Sequence, residues 1–172
     1  SDLDIYLDGK KITLNQPFDA IKVNIAFCPE DRKRDGIIGD LSIRENIMLA
    51  VQSRKGFMKP MTFQEQTDLA NKYIKLLGIA TPDCEKKAGE LSGGNQQKIV
   101  LARELSRDNL QMVIADQPVR GLDIGAIAFT HETLLKFRDS GKSVMLISAD
   151  LDEIRELSDY IAVLSGGKIV EF

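Results

Sequence analysis

The sequence predicts an α/β fold: a mostly parallel sheet with helices on both faces, plus a mainly helical segment. Three observations predict it. From Met112 onward, short apolar runs of strand type alternate with helical periodicity, which implies parallel strands joined by helical crossovers. Residues 31–105 carry helical periodicity with recognisable start and stop signals. The chain has 172 residues, 43% hydrophobic and 28% charged, which suits one globular domain with a subdomain. The expected division is residues 1–30 as the first part of a core, 31–105 as the helical part, and 106–172 as the rest of the core.

The elements follow in order. Leu3, Ile5 and Leu7 alternate with polar neighbours ahead of Asp8-Gly9, a strand entering a hairpin with Lys10 to Leu14 returning. Ile25 to Cys28 is a short apolar strand stopped by Pro29, and Glu30 to Asp35 reads as a charged loop. Ser42-Ile43-Arg44-Glu45 is a capping box that opens a helix through Val51. Lys55 to Thr62, with Gly56 and Pro60, breaks it. A second helix runs from about Gln64 to Leu77 with Leu69, Tyr73, Ile74 and Leu77 on one face, and Gly78 ends it. A third follows Gly93-Gly94 to about Leu105, with Ile99, Val100, Ala102 and Leu105 inward. Then come a strand at Met112–Ala115, a helix at Ile124–Arg138, a strand at Val144–Ile147, a helix at Leu151–Leu157, a strand at Ile161–Leu164 and, after Ser165-Gly166-Gly167-Lys168, a last strand ending at Phe172.

Composition excludes several classes. A net charge of -3 gives no electrostatic footprint for nucleic acid. The two cysteines, Cys28 and Cys84, have no metal-type spacing and read as reduced thiols. No apolar run approaches the ~20 residues that span a bilayer, so contact with a membrane is expected through a partner protein. Gly141-Lys142-Ser143 is not a phosphate-cradling loop. Such a loop needs Gly five residues earlier, where Lys136 stands, and it lies between a strand and a helix. Here the order is reversed, so the tripeptide reads as a turn.

The chemistry concentrates in three strings. In Leu91-Ser92-Gly93-Gly94-Asn95-Gln96-Gln97-Lys98, Ser92 can cap a helix while two glycines leave its first N–H groups open to an anion. Met112 to Ala115 delivers Asp116 at a strand end, followed by Gln117-Pro118 and Arg120-Gly121-Leu122-Asp123. Open α/β sheets place ligand chemistry at such ends. Cys28-Pro29-Glu30-Asp31-Arg32-Lys33-Arg34-Asp35-Gly36 is a strand end running into charge.

The first string resembles the signature of ABC ATPases, and its Asn-Gln-Gln-Lys ending resembles the sugar-importer branch. The second resembles a Walker B strand with its D-loop. The third resembles the loop after the Q-loop strand in second-half domains of ribose- and galactose-type importers, with Glu30 where most ABC domains have Gln. The resemblance covers nearly the whole chain and implies a P-loop NTPase fold of the ABC ATPase type. It implies nucleotide contacts at Ser92, Gly93, Gly94, Asn95, Gln96, Asp116, Asp123 and Glu30, with Asp116 holding Mg²⁺ through water. Two departures point to a degenerate site. Gln117 stands where the family has the Glu acting on the attacking water, and an amide cannot serve as a general base. Ala149, in Ser148-Ala149-Asp150, stands where the family has a His that touches the γ-phosphate.

The family's phosphate loop and opening strands would precede Ser1, so the chain is read as a truncated domain, inactive alone and not binding nucleotide tightly. In the family's sheet a strand would lie between those ending near Ile147 and Leu164. The gap is expected to close by direct pairing, local disorder or strand exchange with a second copy. The implied function is the ATP-binding subunit of a sugar importer at the cytoplasmic membrane face. ATP and Mg²⁺ are its cofactors, and its partners are a first nucleotide-binding half, the permease and, indirectly, a sugar-binding protein. The alternatives are a DNA-associated ABC ATPase, a translation-factor ABC protein or a regulatory module outside transport.

Overall fold

The structure, a computed structural model, describes residues 4–7, 9–55, 60–107 and 109–171. The expectations placed on Leu3, Asp8, Gly56 and Phe172 lie outside the described residues. β1 (Ile5–Leu7) and β2 (Lys10–Ile12) form an antiparallel hairpin with Ile5 opposite Ile12. α1 (Pro17–Lys22) follows, an element the periodicity does not reveal. Its signals are local: proline opens its first turn, and the Asp19 carboxylate accepts from the Asn15 and Gln16 amides. β3 (Ile25–Cys28) enters the core.

The run after β3 is not the loop expected. Arg32–Gly36 winds one π-helical turn, capped by the Asp31 carboxylate, which accepts from the Lys33 and Arg34 amides. α2 (Ile43–Lys55) starts at the predicted capping box: Glu45 accepts from the Ser42 amide, and the Ser42 hydroxyl accepts from the Glu45 amide. α3 (Phe63–Leu77) ends at Gly78, whose φ of 58° is the left-handed conformation that glycine adopts without penalty. α4 (Gly93–Leu105), β4 (Met112–Asp116), α5 (Ile124–Asp139), β5 (Ser143–Ile147), α6 (Leu151–Leu157), β6 (Val163–Ser165) and β7 (Lys168–Glu171) complete the order. Gly141 to Ser143 is a turn into β5, not a phosphate loop.

β3, β4 and β5 form one parallel sheet in that order, with Ala26 opposite Val113 and Val113 opposite Val144. α4 is the centre of the core. Ile99, Val100, Leu101 and Ala102 are all buried in succession, as a helix enclosed on every side requires. Ala26, Cys28, Val113 and Ala115 cover it from the sheet, and Ile43, Ile47, Ala70 and Leu77 from α2 and α3. Burial pushes the Cys28 thiol up to about 12, so it stays protonated and inert at neutral pH.

The α/β fold with a parallel sheet and a helical segment is the one predicted. Coverage of both faces is not observed among the described residues. α4 and α5 share one face; on the other, Phe27, Met145 and Ile147 stand exposed. The expected strand at Ile161–Leu164 starts at Val163 and pairs with β7 alone, in a separate antiparallel hairpin. Direct pairing of β5 with β6 does not occur.

The helical part is held by polar groups as well as apolar ones. Asn46 is fully buried and satisfied: its side chain accepts from the Ile38 amide and donates to the carbonyls of Ile38, Leu41 and Ser42. Arg44 donates through Nε and Nη2 to both Glu85 carboxylate oxygens, through Nη1 to Gln66 Oε1, and stacks over the Phe63 ring. The hydrogen bond from Arg44 holds the Glu85 carboxyl below its ordinary value. A depressed carboxyl contributes stability above its unfolded pKa and loses it as pH falls through the folded one. The wild type is therefore expected to weaken below about pH 4.3 more steeply than Glu85→Gln, in urea unfolding curves collected across the acid range. Parallel pH dependence in the two proteins would refute the assignment.

Candidate functional site

Because β3, β4 and β5 are parallel, their C-terminal ends share one side of the sheet. Pro29-Glu30 leaves β3 there, Asp116-Gln117 leaves β4 and Ser148-Ala149 leaves β5. A cleft of roughly 700 Å³ opens at this edge, lined by Glu30, Arg32 and Asp116, with Phe27 at its floor and Arg120 and Gly121 at its side. Glu30 and Asp116 thus line one cleft. Glu30 forms an ion pair with Arg120 across it. Gln117 has a φ of 46°, a left-handed conformation uncommon outside glycine, and its amide donates to the Ile147 carbonyl, 2.8 Å away. The chain therefore turns sharply at Gln117. Ala149 is exposed at the end of β5 and brings no polar side-chain atom.

The second group of residues lies where two helices start. Ser92 is exposed and is the N-cap of α4; Gly93 and Gly94 are partly exposed in its first turn. Asp123 is the N-cap of α5, accepting from the Ala126 amide at 2.9 Å. The two starts touch: a Cβ placed on Gly94 would lie 2.9 Å from the Ala126 Cβ and 3.5 Å from Asp123 Oδ2. Neither glycine has a positive φ, so close approach, not backbone freedom, is what requires glycine here. Ser92, Gly93, Gly94 and Asp123 do not line the Glu30–Asp116 cleft.

Of two further residues expected at the nucleotide, Gln96 turns inward and Asn95 stays beside Ser92. Gln96 is only 3% exposed, and its amide donates to the carbonyls of Leu91, Gly89 and Ala88. It ties the helix start to the preceding loop, and nothing outside the protein reaches it. Asn95 is partly buried, donating to Ser92 Oγ and accepting from the Ala80 amide. The periodicity that puts Gln96 on the inner face was visible; its carbonyl partners were not.

Arg32, in a charged run that reads as solvated surface, and Arg120, in the loop after β4, carry no sequence signal for a role here. Arg32 Nη1 donates to the Arg120 carbonyl at 2.8 Å, and Arg120 closes the cleft on Glu30. Among the described residues no group of three or more His, Cys, Asp or Glu side chains could hold a metal ion alone. One carboxylate at Asp116 fits instead a Mg²⁺ that takes its other oxygens from phosphates and water.

A family model described as ABC transporter matches residues 4–120. The chain belongs to the ABC transporter family. The fructose import ATP-binding protein FruK of Bifidobacterium longum (strain NCC 2705) is 40% identical over 92% of the chain and 31% of its own length. The galactofuranose transporter ATP-binding protein YtfR of Escherichia coli (strain K12) is 40% identical over 95% of the chain and 33% of its own length. The xylose import ATP-binding protein XylG of Thermoanaerobacter pseudethanolicus is 42% identical over 96% of the chain and 33% of its own length. This ABC transporter chain thus spans about a third of the length of these relatives. The dimeric post-hydrolysis ATP-binding cassette MJ0796, solved with ADP and Pi, superposes with a TM-score of 0.79 at 24% identity, over 98% of the chain and 71% of its own. At that identity the likeness establishes the ABC cassette fold, and the site rests on the residues themselves.

Proposed function

We propose that this chain is part of the ATP-binding subunit of a sugar importer, lending its Ser92–Gly94 turn to a nucleotide held mainly by another nucleotide-binding half. The observation that carries this reading is separation. The exposed helix start at Ser92 and the cleft of Glu30 and Asp116 are different places on the surface. The Gly93 and Gly94 N–H groups, at the start of a 13-residue helix, favour an anion such as a terminal phosphate, while that of Asn95 is capped by the Ser92 hydroxyl. The Asp116 cleft is the degenerate site. Asp116 would hold Mg²⁺ beside nucleotide phosphates, and that ion would offset phosphate charge. Gln117 cannot take a proton as a general base there, and Ala149 cannot donate to a γ-phosphate. The matched relatives are import ATP-binding proteins for fructose, galactofuranose and xylose. They support a sugar cargo, a permease partner, an indirect sugar-binding partner and a place at the cytoplasmic membrane face. The division into residues 1–30, 31–105 and 106–172 belongs to the same proposal, with the helical part facing the permease.

The test uses the transporter assembled from the full-length subunit and its permease. Ser92→Tyr fills the exposed turn without touching the core and is expected to depress ATP turnover strongly while leaving subunit assembly intact. Turnover at the wild-type rate would refute the role given to the turn. ATP and Mg²⁺ added to the chain alone should give no phosphate release above buffer.

A further inference from the structure

One side chain joins three segments that lie far apart in sequence. We propose that Arg32 is a positioning residue, holding the Ser92–Gly94 turn against the Arg120–Gly121 loop so that the Glu30–Asp116 cleft and the turn move as one body. This rests on the reading of the turn given above.

The base of Arg32 is fixed. Its π-helical turn is capped by Asp31, and its last residue, Gly36, packs so closely that an added Cβ would come within 3.0 Å of Val100 Cγ2. Arg103 Nη1, from the far end of α4, donates to the Gly36 carbonyl at 2.6 Å. From this anchored turn the guanidinium reaches the loop after β4, with Nη1 donating to the Arg120 carbonyl at 2.8 Å and Nη2 at 3.5 Å from that of Gly121. The first is the strong bond; the second lies at the limit of hydrogen bonding. On its other side the guanidinium lies on Gly93. A Cβ there would stand 2.8 Å from Nη2, 3.5 Å from Cζ and 3.6 Å from Nε. Glycine at position 93 is thus the space into which the guanidinium plane fits. Nε is buried there without a hydrogen-bond partner.

A lysine could not replace this contact. Its ammonium is a point charge, whereas the flat fork can bond a carbonyl at its edge while lying against a backbone with its face. The loop it grips leads directly to Asp123, the α5 cap that adjoins Gly94. It also carries Arg120, which is paired with Glu30 in the cleft. A shift of Glu30 or Arg120 is therefore transmitted through the Arg120 carbonyl and the guanidinium to the turn. Arg32 also lines the cleft, and in this scheme its effect on the turn runs through the backbone of Gly93.

Arg32→Lys keeps the charge and removes the fork, and Arg32→Gln removes both. In the assembled transporter both are expected to lower kcat at least tenfold while KM for ATP stays within about twofold, since the other half binds the nucleotide. In ¹H–¹⁵N spectra of the 172-residue chain both should shift the amides of Gly93 and Gly94 together with that of Gly121. Wild-type kcat in Arg32→Lys, or amide shifts confined to Gly121, would overturn the proposal. Ser92→Tyr is the control that separates the two readings. If it is impaired and the Arg32 variants are not, the positioning role falls and the turn's role stands. If none is impaired, both fall.

Discussion

His131→Leu is expected to destabilise the fold by about 3 kcal/mol. His131 Nε2 and Glu153 Oε1 are hydrogen-bonded at 2.9 Å, which joins α5 to α6. Glu153 is only 4% exposed, and its other carboxylate oxygen is buried without a hydrogen-bond partner. Loss of the imidazole leaves a buried carboxylate with no compensating group on α5. The double variant His131→Leu/Glu153→Leu removes the charge with its partner and should recover most of the loss, because two apolar groups carry no desolvation debt. Urea unfolding of the single and double variants measures the difference. A double variant as unstable as the sum of its parts would show that packing, not charge, holds the pair. The consequence reaches the end of β5, since α6 begins directly after Ser148-Ala149-Asp150.

Gly94→Ala is expected to cost about 1–3 kcal/mol, although helix propensity alone favours alanine by nearly 1 kcal/mol. The clash decides the sign. The new Cβ would meet the Ala126 Cβ at 2.9 Å, and a Cβ cannot rotate out of the way. Ala126→Gly should restore much of the stability in the double variant, at the usual cost of a glycine in a helix. The same change at Gly93 meets the tip of the Arg32 side chain, which can bend aside. It should therefore leave stability nearly unchanged while displacing the guanidinium. Thermal unfolding of the three variants checks the order: a Gly94→Ala protein at least as stable as wild type would show that the two helix starts are not in contact.

Legibility differed with the range of the interaction. The helix start at Ser92 and the strand that ends at Asp116 were readable because their signals lie within a few residues: a capping side chain, two glycines, a β-type apolar run stopped by a carboxylate. α1 was missed although its signals are local, because six residues are too few to show a period. The Arg32 turn reads as loop in the sequence because its charged residues say nothing about the core beneath Gly36. Gln96 was placed at the nucleotide by resemblance, and the structure turns it onto three carbonyls of the preceding loop.

The capped starts of α2 and α4, the strand that ends at Asp116, and the presence of Gln117 and Ala149 at their positions were determined by the sequence alone, since each depends on residue type and near neighbours. Tertiary structure alone decided that Glu30 and Asp116 share a cleft while Ser92 and Gly94 stand outside it, that Gly93 is the seat of a guanidinium, and that β6 turns away from β5 to pair with β7. The physical reason is distance along the chain. Arg32 and Arg120 are 88 residues apart and His131 and Glu153 are 22 apart, and contacts of that span exist only once packing has brought the segments together.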